Sequence, residues 1–531
     1  RMAVETLAKH WKWVERDPAL IEMLEGAGDQ AKTNVIERIR RIVLDAPDFT
    51  ETDDHAFFKG IGHPPAPAAD ATNPQRRSMG DLLGTLELAD GVVTQPPLIR
   101  DIALRRFRCS QWVSIGPVPD SSFAGIGRVS QIAIHPTNGH VLIAGAAGGG
   151  VWKTTNGGAS WRPTMNLEPT LTIGAVAIAP SDPKIMYAAS GEDGGAFSPS
   201  WSGVGIYRSS DSGNRWSLMT GVPSTRFSAI VVHPQRADTI YVAGNRGLHK
   251  SIDGGATWRT NPGQSSLFDG RITDVVIGFQ PRLIRNMPEL DIDIDIGDLR
   301  PPFFLAERVY IGVQNSGVFR STNAGEQFGS NPAFTRLDAS DQLPSGAAAG
   351  WIKLAIGRNG PNRTRFLAAK LGPNGSRIFT TTDGGDTWDE KASNVATASF
   401  DAWCSVIAVD PNDEDILYAG ASTELKRTTN GGASASDWTS INTDVHPDQQ
   451  DIAFDPDDSS RVFLGNDGGV YRTENRGTDW TLAAGRLAIT QFYDIDISEK
   501  DRDVVAGGAQ DNGIYYRNTS GVWRNITWGD G

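Results

Sequence analysis

The sequence predicts an all-β protein built from repeated four-stranded antiparallel sheets. Three observations lead to this fold class: a short turn motif recurs along the chain, alternating apolar strands stand at fixed places between its copies, and 59 of 531 residues are glycine. Self-similarity at a regular period indicates a repeat architecture, in which each repeat is one structural unit.

The recurring motif reads Ser/Thr-x-Asp/Asn-x-Gly-x-x-Trp, and its chemistry is that of a turn. The Asp or Asn side chain bonds backbone N–H groups of its own turn, and glycine adopts a positive φ without a Cβ clash. The tryptophan begins the next strand and buries a large ring. Seven copies have their Asp or Asn at Asn156, Asp211, Asp253, Asn323, Asp383, Asn430 and Asn475, and a degraded eighth copy lies around 517–523.

The stretches between the motifs repeat as well. An alternating strand and a second apolar strand precede a glycine-rich loop, a third strand, the motif and a strand led by tryptophan. Four antiparallel strands in roughly 40–60 residues are typical of a β-propeller blade. We therefore predict a β-propeller of about eight units, with seven to ten allowed, whose ring is closed by an outer strand lent from 112–117.

The motif resembles the Asp-box, or BNR repeat, of sialidases, xyloglucanase-type glycoside hydrolases, sortilin-type receptors and photosystem assembly factors. The resemblance covers about residue 112 to the end of the chain. It implies the propeller fold but no particular activity, because one fold hosts many functions.

Residues 1–59 are predicted to form a helical extension. Val4, Leu7, Trp11 and Val14 recur at spacings of three and four, as on one face of a helix. The extension is interpreted as a helical packing unit, with an arm that docks an assembly partner as the alternative. Residues 60–110 are interpreted as a Pro/Ala-rich linker and lead-in, and residues 111–531 as the propeller.

Composition excludes some classes of partner. The net charge of −13 argues against nucleic-acid binding, which needs a basic face. Apolar runs fall short of the roughly 20 residues that span a bilayer.

Cys109 and Cys404 are too few for a disulfide scaffold and are predicted to be free thiols, although one bridge is possible. No signal peptide is visible, yet we expect an extracellular, periplasmic or cell-surface location.

We expect no cofactor and no metal site. The acidic insertion 281–302 lacks the glycine and glutamate that an EF-hand calcium loop requires, and its alternation suits an added hairpin. A structural cation remains open as an alternative.

Candidate functional residues lie on the face opposite the Asp-boxes, where the loops between second and third strands join the links between blades. Asp467 and Asp511 occupy equivalent loops of neighbouring units and are the catalytic candidates. Such a pair can act as acid and base, or each Asp can cap its own turn. Ligand-binding candidates are His446, Asp448, Asn466, Tyr493, Gln510, Asn512, Trp403 and Trp351.

The polar and aromatic character of that face predicts recognition or scaffolding, with a glycan or protein as ligand. The alternative is a glycoside hydrolase that uses the carboxylate pair. The sequence has no Arg-Ile-Pro motif of the sialidases, and Ala147 stands where the xyloglucanase type has a catalytic Asp. These departures favour binding over catalysis.

Overall fold

The fold is described by a computed structural model. It covers residues 115–117, 125–193, 201–283, 303–327, 333–337, 342–357, 366–371, 377–395, 404–527 and 529–531. All of them belong to one compact unit, Trp112–Gly531. The predicted N-terminal helices, the lead-in with Cys109, Trp403 and most of the acidic insertion lie outside the described residues.

The first four sheets follow one another along the chain, each with its strands in sequence order and antiparallel. Sheet 3 has three strands, supplemented by isolated bridges from Leu248 to Phe268 and from Lys250 to Arg259. The strands are β1 Val129–His135, β2 Asn138–Ala146, β3 Gly150–Thr154 and β4 Arg162–Pro163; β5 Ile173–Ile178, β6 Met186–Gly191, β7 Ser202–Ser209 and β8 Ser217–Met219; β9 Phe227–His233, β10 Arg236–Gly244 and β11 Gly247–Ser251; β12 Ile272–Leu283, β13 Phe303–Val313, β14 Gly317–Ser321 and β15 Thr335–Arg336.

Sheets 5 to 8 each have four strands. Two short 3-10 turns, Gly346–Ala349 and Ala435–Asp437, accompany them, and no helix among the described residues is long and apolar enough to cross a membrane. The strands are β16 Lys353–Ile356, β17 Leu367–Leu371, β18 Arg377–Thr381 and β19 Asp389–Ser393; β20 Val406–Asp410, β21 Asp413–Gly420, β22 Leu425–Thr428 and β23 Thr439–Ser440; β24 Gln449–Phe454, β25 Val462–Asn466, β26 Gly469–Thr473 and β27 Thr481–Leu482; β28 Phe492–Ile497, β29 Val505–Ala509, β30 Gly513–Arg517 and β31 Trp523–Asn525.

The Asp-box turns have the predicted hydrogen bonds. In all seven copies the Ser or Thr hydroxyl donates to the Asp or Asn Oδ1, as from Thr154 to Asn156 at 2.8 Å. The glycine N–H in turn donates to the hydroxyl, as from Gly158 to Thr154 at 3.1 Å. The sixth copy, which is three residues longer, differs because the Gly432 N–H donates to Asn430 Oδ1 instead.

Seven sheets close into a ring. The first strand of each sheet packs beside the first strand of the next, and β24 of sheet 7 packs beside β1 of sheet 1 in the same way. The Ile132 N–H donates across this junction to Asp451 Oδ2 at 2.8 Å, just as Leu354 of sheet 5 donates to Asp274 of sheet 4 at 2.9 Å. The chain therefore forms the predicted propeller, and the ring holds seven sheets.

The Asp-box tryptophans contact neighbouring sheets at the end of the ring that carries the Asp-box turns. The Trp480 indole N–H donates to Ile441 O of sheet 6 at 2.8 Å, and the Trp161 indole N–H donates to Ala483 O after sheet 7 at 2.7 Å. Trp216 and Trp388 are also buried, whereas Trp258 of the three-stranded sheet is only partly buried. Trp161 therefore makes, between sheets 1 and 7, the same kind of contact that Trp480 makes between sheets 7 and 6.

Sheet 8 lies outside the ring. Its inner strand β28 exposes Tyr493, Ile495 and Ile497 at 61%, 54% and 52%, although the same strand is largely buried in sheets 2 and 3. Sheet 8 is attached through its third and fourth strands to the segment before sheet 1. The Tyr515 hydroxyl donates to Gly125 O at 2.7 Å, and the Trp523 indole N–H donates to Ile115 O. The expected outer strand is absent from the described residues Ile115–Pro117, because each ring sheet uses its own strands.

Replacing Trp161 with alanine should destabilise the fold by about 3–5 kcal/mol, the usual cost of removing a buried large aromatic. The residue loses both its buried ring and its hydrogen bond at the ring closure. Chemical denaturation of the purified variant measures the change. Trp258→Ala serves as the matched control and should cost clearly less, because that ring is partly exposed. Equal effects would contradict the special position of Trp161.

Candidate functional site

The candidate residues gather at the end of the ring opposite the Asp-boxes. At this end the second strand of each sheet finishes and the link to the next inner strand begins. Asp467 follows β25 of sheet 7, Asp511 follows β29 of sheet 8, and Asp448 lies on the link that enters β24. The fold thus brings together side chains that are remote from one another in sequence.

The Asp467 and Asp511 carboxyl groups lie close enough to interact directly, and this interaction is one cause of the raised pKa of Asp511. Burial raises the pKa of each to about 6, and the neighbouring carboxylates act in the same direction. Asp467 Oδ1 also accepts a hydrogen bond from Gln450 Nε2 at 3.0 Å. Two carboxyls this close share a proton in preference to ionising independently.

Asp448 extends this acidic cluster toward sheet 6. Its carboxyl interacts with the Cys404 thiol, which lies 3.1 Å from the Ser422 hydroxyl, and burial is the main cause that raises the Asp448 pKa. Burial also raises the pKa of Cys404 to about 12, so this cysteine is a buried free thiol and not a reactive nucleophile. Sequence reasoning missed Cys404 as a member of the site, since a lone cysteine carries no positional signal.

His446 and the candidate amides hold the backbone of the site. His446 Nε2 lies 2.9 Å from Asp511 O, so the ring bridges the link of sheet 7 and the loop of sheet 8. Asn466 accepts from the Gly468 N–H at 2.9 Å and donates to His446 O at 2.9 Å. Asn512 donates to Asp467 O at 3.0 Å and to Gln510 O at 2.8 Å. These bonds position the two aspartates.

Tyr493 is the exposed aromatic side chain of the cluster. Its hydroxyl donates to Asp530 Oδ1 at 3.1 Å, and the same oxygen accepts the Asp511 N–H at 3.0 Å. The ring therefore stands beside the carboxyl pair with most of its surface open to solvent.

Arg128 joins the acidic cluster to the mouth of the central channel. Its guanidinium is 2% exposed and lies 3.8 Å from Asp467 Oδ2 and 3.4 Å from Glu192 Oε1. Arg128 precedes β1, whereas Asp467 and Glu192 follow second strands of sheets 7 and 2. This contact depends on ring closure, because only closure places sheet 7 beside sheet 1.

A small cavity of about 30 Å³, partly open to solvent, lies at the channel mouth. Its wall is fixed by Asp193, which accepts two hydrogen bonds from Arg271, and the Arg271 guanidinium lies over the Trp351 ring at 5.3 Å. The sequence analysis placed Trp351 on this face but missed Lys353 and Gln450. These two residues lie at the beginning of the first strands of sheets 5 and 7. The lining residues are Ser130, Gly174, Glu192, Asp193, Phe227, Ser228, Trp351, Lys353 and Gln450.

The geometry limits the chemistry of the carboxyl pair. Glycoside hydrolases hold their two carboxyls about 5–5.5 Å apart when they retain configuration and about 6.5–9.5 Å apart when they invert it. The direct interaction between Asp467 and Asp511 places their carboxyls closer together than either range. Ala147 is buried and offers no carboxylate in sheet 1, and no group of three or more potential metal ligands occurs among the described residues.

The carboxyl pair should make the stability of the protein depend on pH. A carboxyl whose pKa rises from 3.8 to about 6 on folding stabilises the fold below about pH 4, and this contribution is lost as pH rises through about 6. Asp511→Asn keeps a hydrogen-bonding side chain but cannot ionise, so it should remove part of the loss between pH 5 and pH 7.5, on the order of 0.5–1 kcal/mol after solvent screening of this partly exposed group. Denaturation midpoints across this range measure the effect.

Asp496→Asn is the matched control, because Asp496 is an exposed carboxylate on the same sheet. It should leave the pH profile unchanged. An Asp511→Asn profile that parallels the wild type would contradict the shared proton.

Comparisons with known proteins agree with this architecture. The family model for photosynthesis system II assembly factor YCF48 matches residues 370–525. A curated xyloglucanase from a Paenibacillus species is 24% identical over 377 residues, which cover 62% of this chain and 30% of that protein.

Solved structures of GH74 enzymes have a similar fold. The GH74 xyloglucanase of Xanthomonas campestris has a TM-score of 0.51 and 18% identity, over 75% of this chain and 60% of that one. A GH74 enzyme of Niastella koreensis has a TM-score of 0.52 and 17% identity, over 78% of this chain and 67% of that one. The chain thus spans less than a third of the curated relative and three-fifths of the first structure. Together these findings support a β-propeller of the BNR-repeat type.

Proposed function

We propose that this protein is a recognition module that binds a glycan on the face opposite the Asp-boxes. The main support is the contact between Asp467 and Asp511, which gives this face a fixed, buried polar cluster but not the separation that glycoside hydrolysis needs. The exposed Tyr493 ring beside this cluster offers the apolar surface on which sugar rings stack.

The similarity to a xyloglucanase favours a glycan as ligand. That similarity also keeps hydrolysis as the second candidate function. The contact between the carboxyls and the presence of Ala147 weigh against catalysis by residues of this chain. A location outside the cytoplasm and an assembly partner bound through residues 1–59 stay predictions.

A panel of soluble polysaccharides that includes xyloglucan tests the proposal. Affinity electrophoresis or calorimetry measures binding, and a reducing-end assay on the same samples measures turnover. Saturable binding of at least one polysaccharide without turnover is the expected result. Turnover that Asp467→Asn or Asp511→Asn abolishes in a folded protein would establish the hydrolase. Binding of proteins or peptides alone would contradict a glycan ligand.

Tyr493→Ala should weaken polysaccharide binding about tenfold, or about 1.4 kcal/mol, through loss of the exposed ring. The substitution should leave the fold intact, because the side chain is 61% exposed. Calorimetric titration measures the affinity. Tyr516→Ala is the matched control on the same sheet, since Tyr516 is also partly exposed but lies on β30 away from the carboxyl pair. Equal affinity of both variants would contradict the assigned surface.

A further inference from the structure

A lysine side chain is completely buried at the junction between sheets 5 and 6. Lys370, on β17, is 0% exposed, and its Nζ donates to the Ser405 Oγ at 2.6 Å. Ser405 is also buried and lies on the segment that enters β20 of sheet 6. The cross-strand partner of Lys370 on β18 is Ile378, which belongs to the apolar cluster that joins the two sheets. An ammonium group in these surroundings lacks the water that would stabilise its charge.

The charged groups around Lys370 do not compensate for this burial. Its cross-strand partner on β16 is Lys353, a second positive charge. Burial lowers the pKa of Lys370 to about 7, although the Cys404 thiol and the Glu424 carboxylate act in the opposite direction. Glu424 is itself bound by Lys426 at 2.7 Å. The closed junction therefore favours the neutral amine.

The hydrogen bond of Lys370 connects this junction to the candidate site. Its acceptor Ser405 follows Cys404 in the chain, and the Cys404 thiol interacts with the Asp448 carboxyl and the Ser422 hydroxyl. The Asp448 N–H in turn donates to Ser422 O. A displacement of the segment with Cys404 and Ser405 would therefore change the contacts that position Asp448.

We propose that the contact between Lys370 and Ser405 is a pH-sensitive latch, which holds sheets 5 and 6 together beside the candidate site. In the closed junction the amine is neutral and bound to Ser405. In the open junction the amine takes up a proton and becomes hydrated, and Cys404 becomes accessible to solvent. A fall in pH therefore favours opening and releases the contacts of Asp448. This regulation goes beyond ligand recognition and does not depend on which ligand the face binds.

The pH range of the latch follows from proton linkage. Lys370 has a pKa of about 7 in the closed junction, and hydration in the open junction restores its ordinary value of 10.5. Between these two values the open junction binds one more proton than the closed one. The ratio of open to closed protein therefore rises about tenfold for each pH unit by which the solution is acidified. Below about pH 7 both forms are protonated, and the ratio stays constant.

The Cys404 thiol reports the opening directly, because it is buried when the junction is closed. Cys109→Ser removes the other cysteine of the full chain and provides the reference protein. Dithiodipyridine then labels Cys404 between pH 7.5 and 9.5, at concentrations where the rate is proportional to the reagent. Lys370→Met in the same background keeps a long side chain that cannot take up a proton. The rate of the reference protein relative to that of Lys370→Met should fall about tenfold per pH unit as the pH rises.

Lys391→Met is the matched control, because Lys391 is a half-buried lysine on β19 of the same sheet. Its labelling rate relative to the reference protein should not change with pH. A constant ratio for Lys370→Met as well would overturn the latch. The reference protein alone gives a second test, since its rate should stay nearly flat from pH 7.5 to 8.5, where thiolate formation and closure offset each other. A tenfold rise over that unit would also overturn the proposal.

Urea separates opening of the junction from unfolding of the whole protein. Local opening exposes little surface, so about 1 M urea should change the Cys404 labelling rate only slightly. An acceleration as large as the effect of urea on global unfolding would show that only complete unfolding exposes Cys404. That result would contradict a latch between sheets 5 and 6.

Discussion

The hydrogen bond from the Ile132 N–H to Asp451 closes the ring, and the arrangement of the functional face depends on it. The sequence supplies sheets in a linear order, so only one junction must join the two ends of the repeat array. Asp451 is partly buried there, and burial raises its pKa to about 7. An equivalent Asp274 joins sheets 4 and 5, so the closing junction uses the same side-chain chemistry as an internal one. Among the described residues, no strand is exchanged between sheets.

Closure determines which residues meet at the channel mouth. Arg128 precedes sheet 1, yet it contacts Asp467 of sheet 7 and Glu192 of sheet 2. Sheet 8 lies outside the ring, and the loop between its second and third strands places Asp511 beside Asp467. The acidic cluster and the cavity are therefore two ends of one polar network that is centred on a buried arginine. A ligand bound at either end would therefore contact residues whose positions depend on the junction between sheets 7 and 1.

The repeated motif was sufficient to predict the sheets, their strand order and the Asp-box turns. Each of these features depends on residues that are close in sequence, and the hydrogen bonds of Thr154, Asn156 and Gly158 follow from them directly. The number of sheets in the ring could not be predicted in this way. Asp451 and Asp494 occupy the same position in their repeats, but Asp451 accepts a hydrogen bond across a junction and Asp494 is exposed.

The location of the candidate site could be predicted from the sequence, but the contacts between its residues could not. Strand order assigned Asp467, Asp511 and Trp351 to one face, whereas the interaction between the two carboxyls and the packing of Arg271 on the Trp351 ring depend on residues that are remote in sequence. Amide hydrogen exchange at Ile132 tests ring closure most directly, since its N–H donates to Asp451 across the junction. If seven sheets close the ring, the Ile132 N–H is as protected as that of Leu354, which donates to Asp274, and it exchanges only through extensive unfolding. Rapid exchange of Ile132 beside a protected Leu354 would contradict the closure by seven sheets.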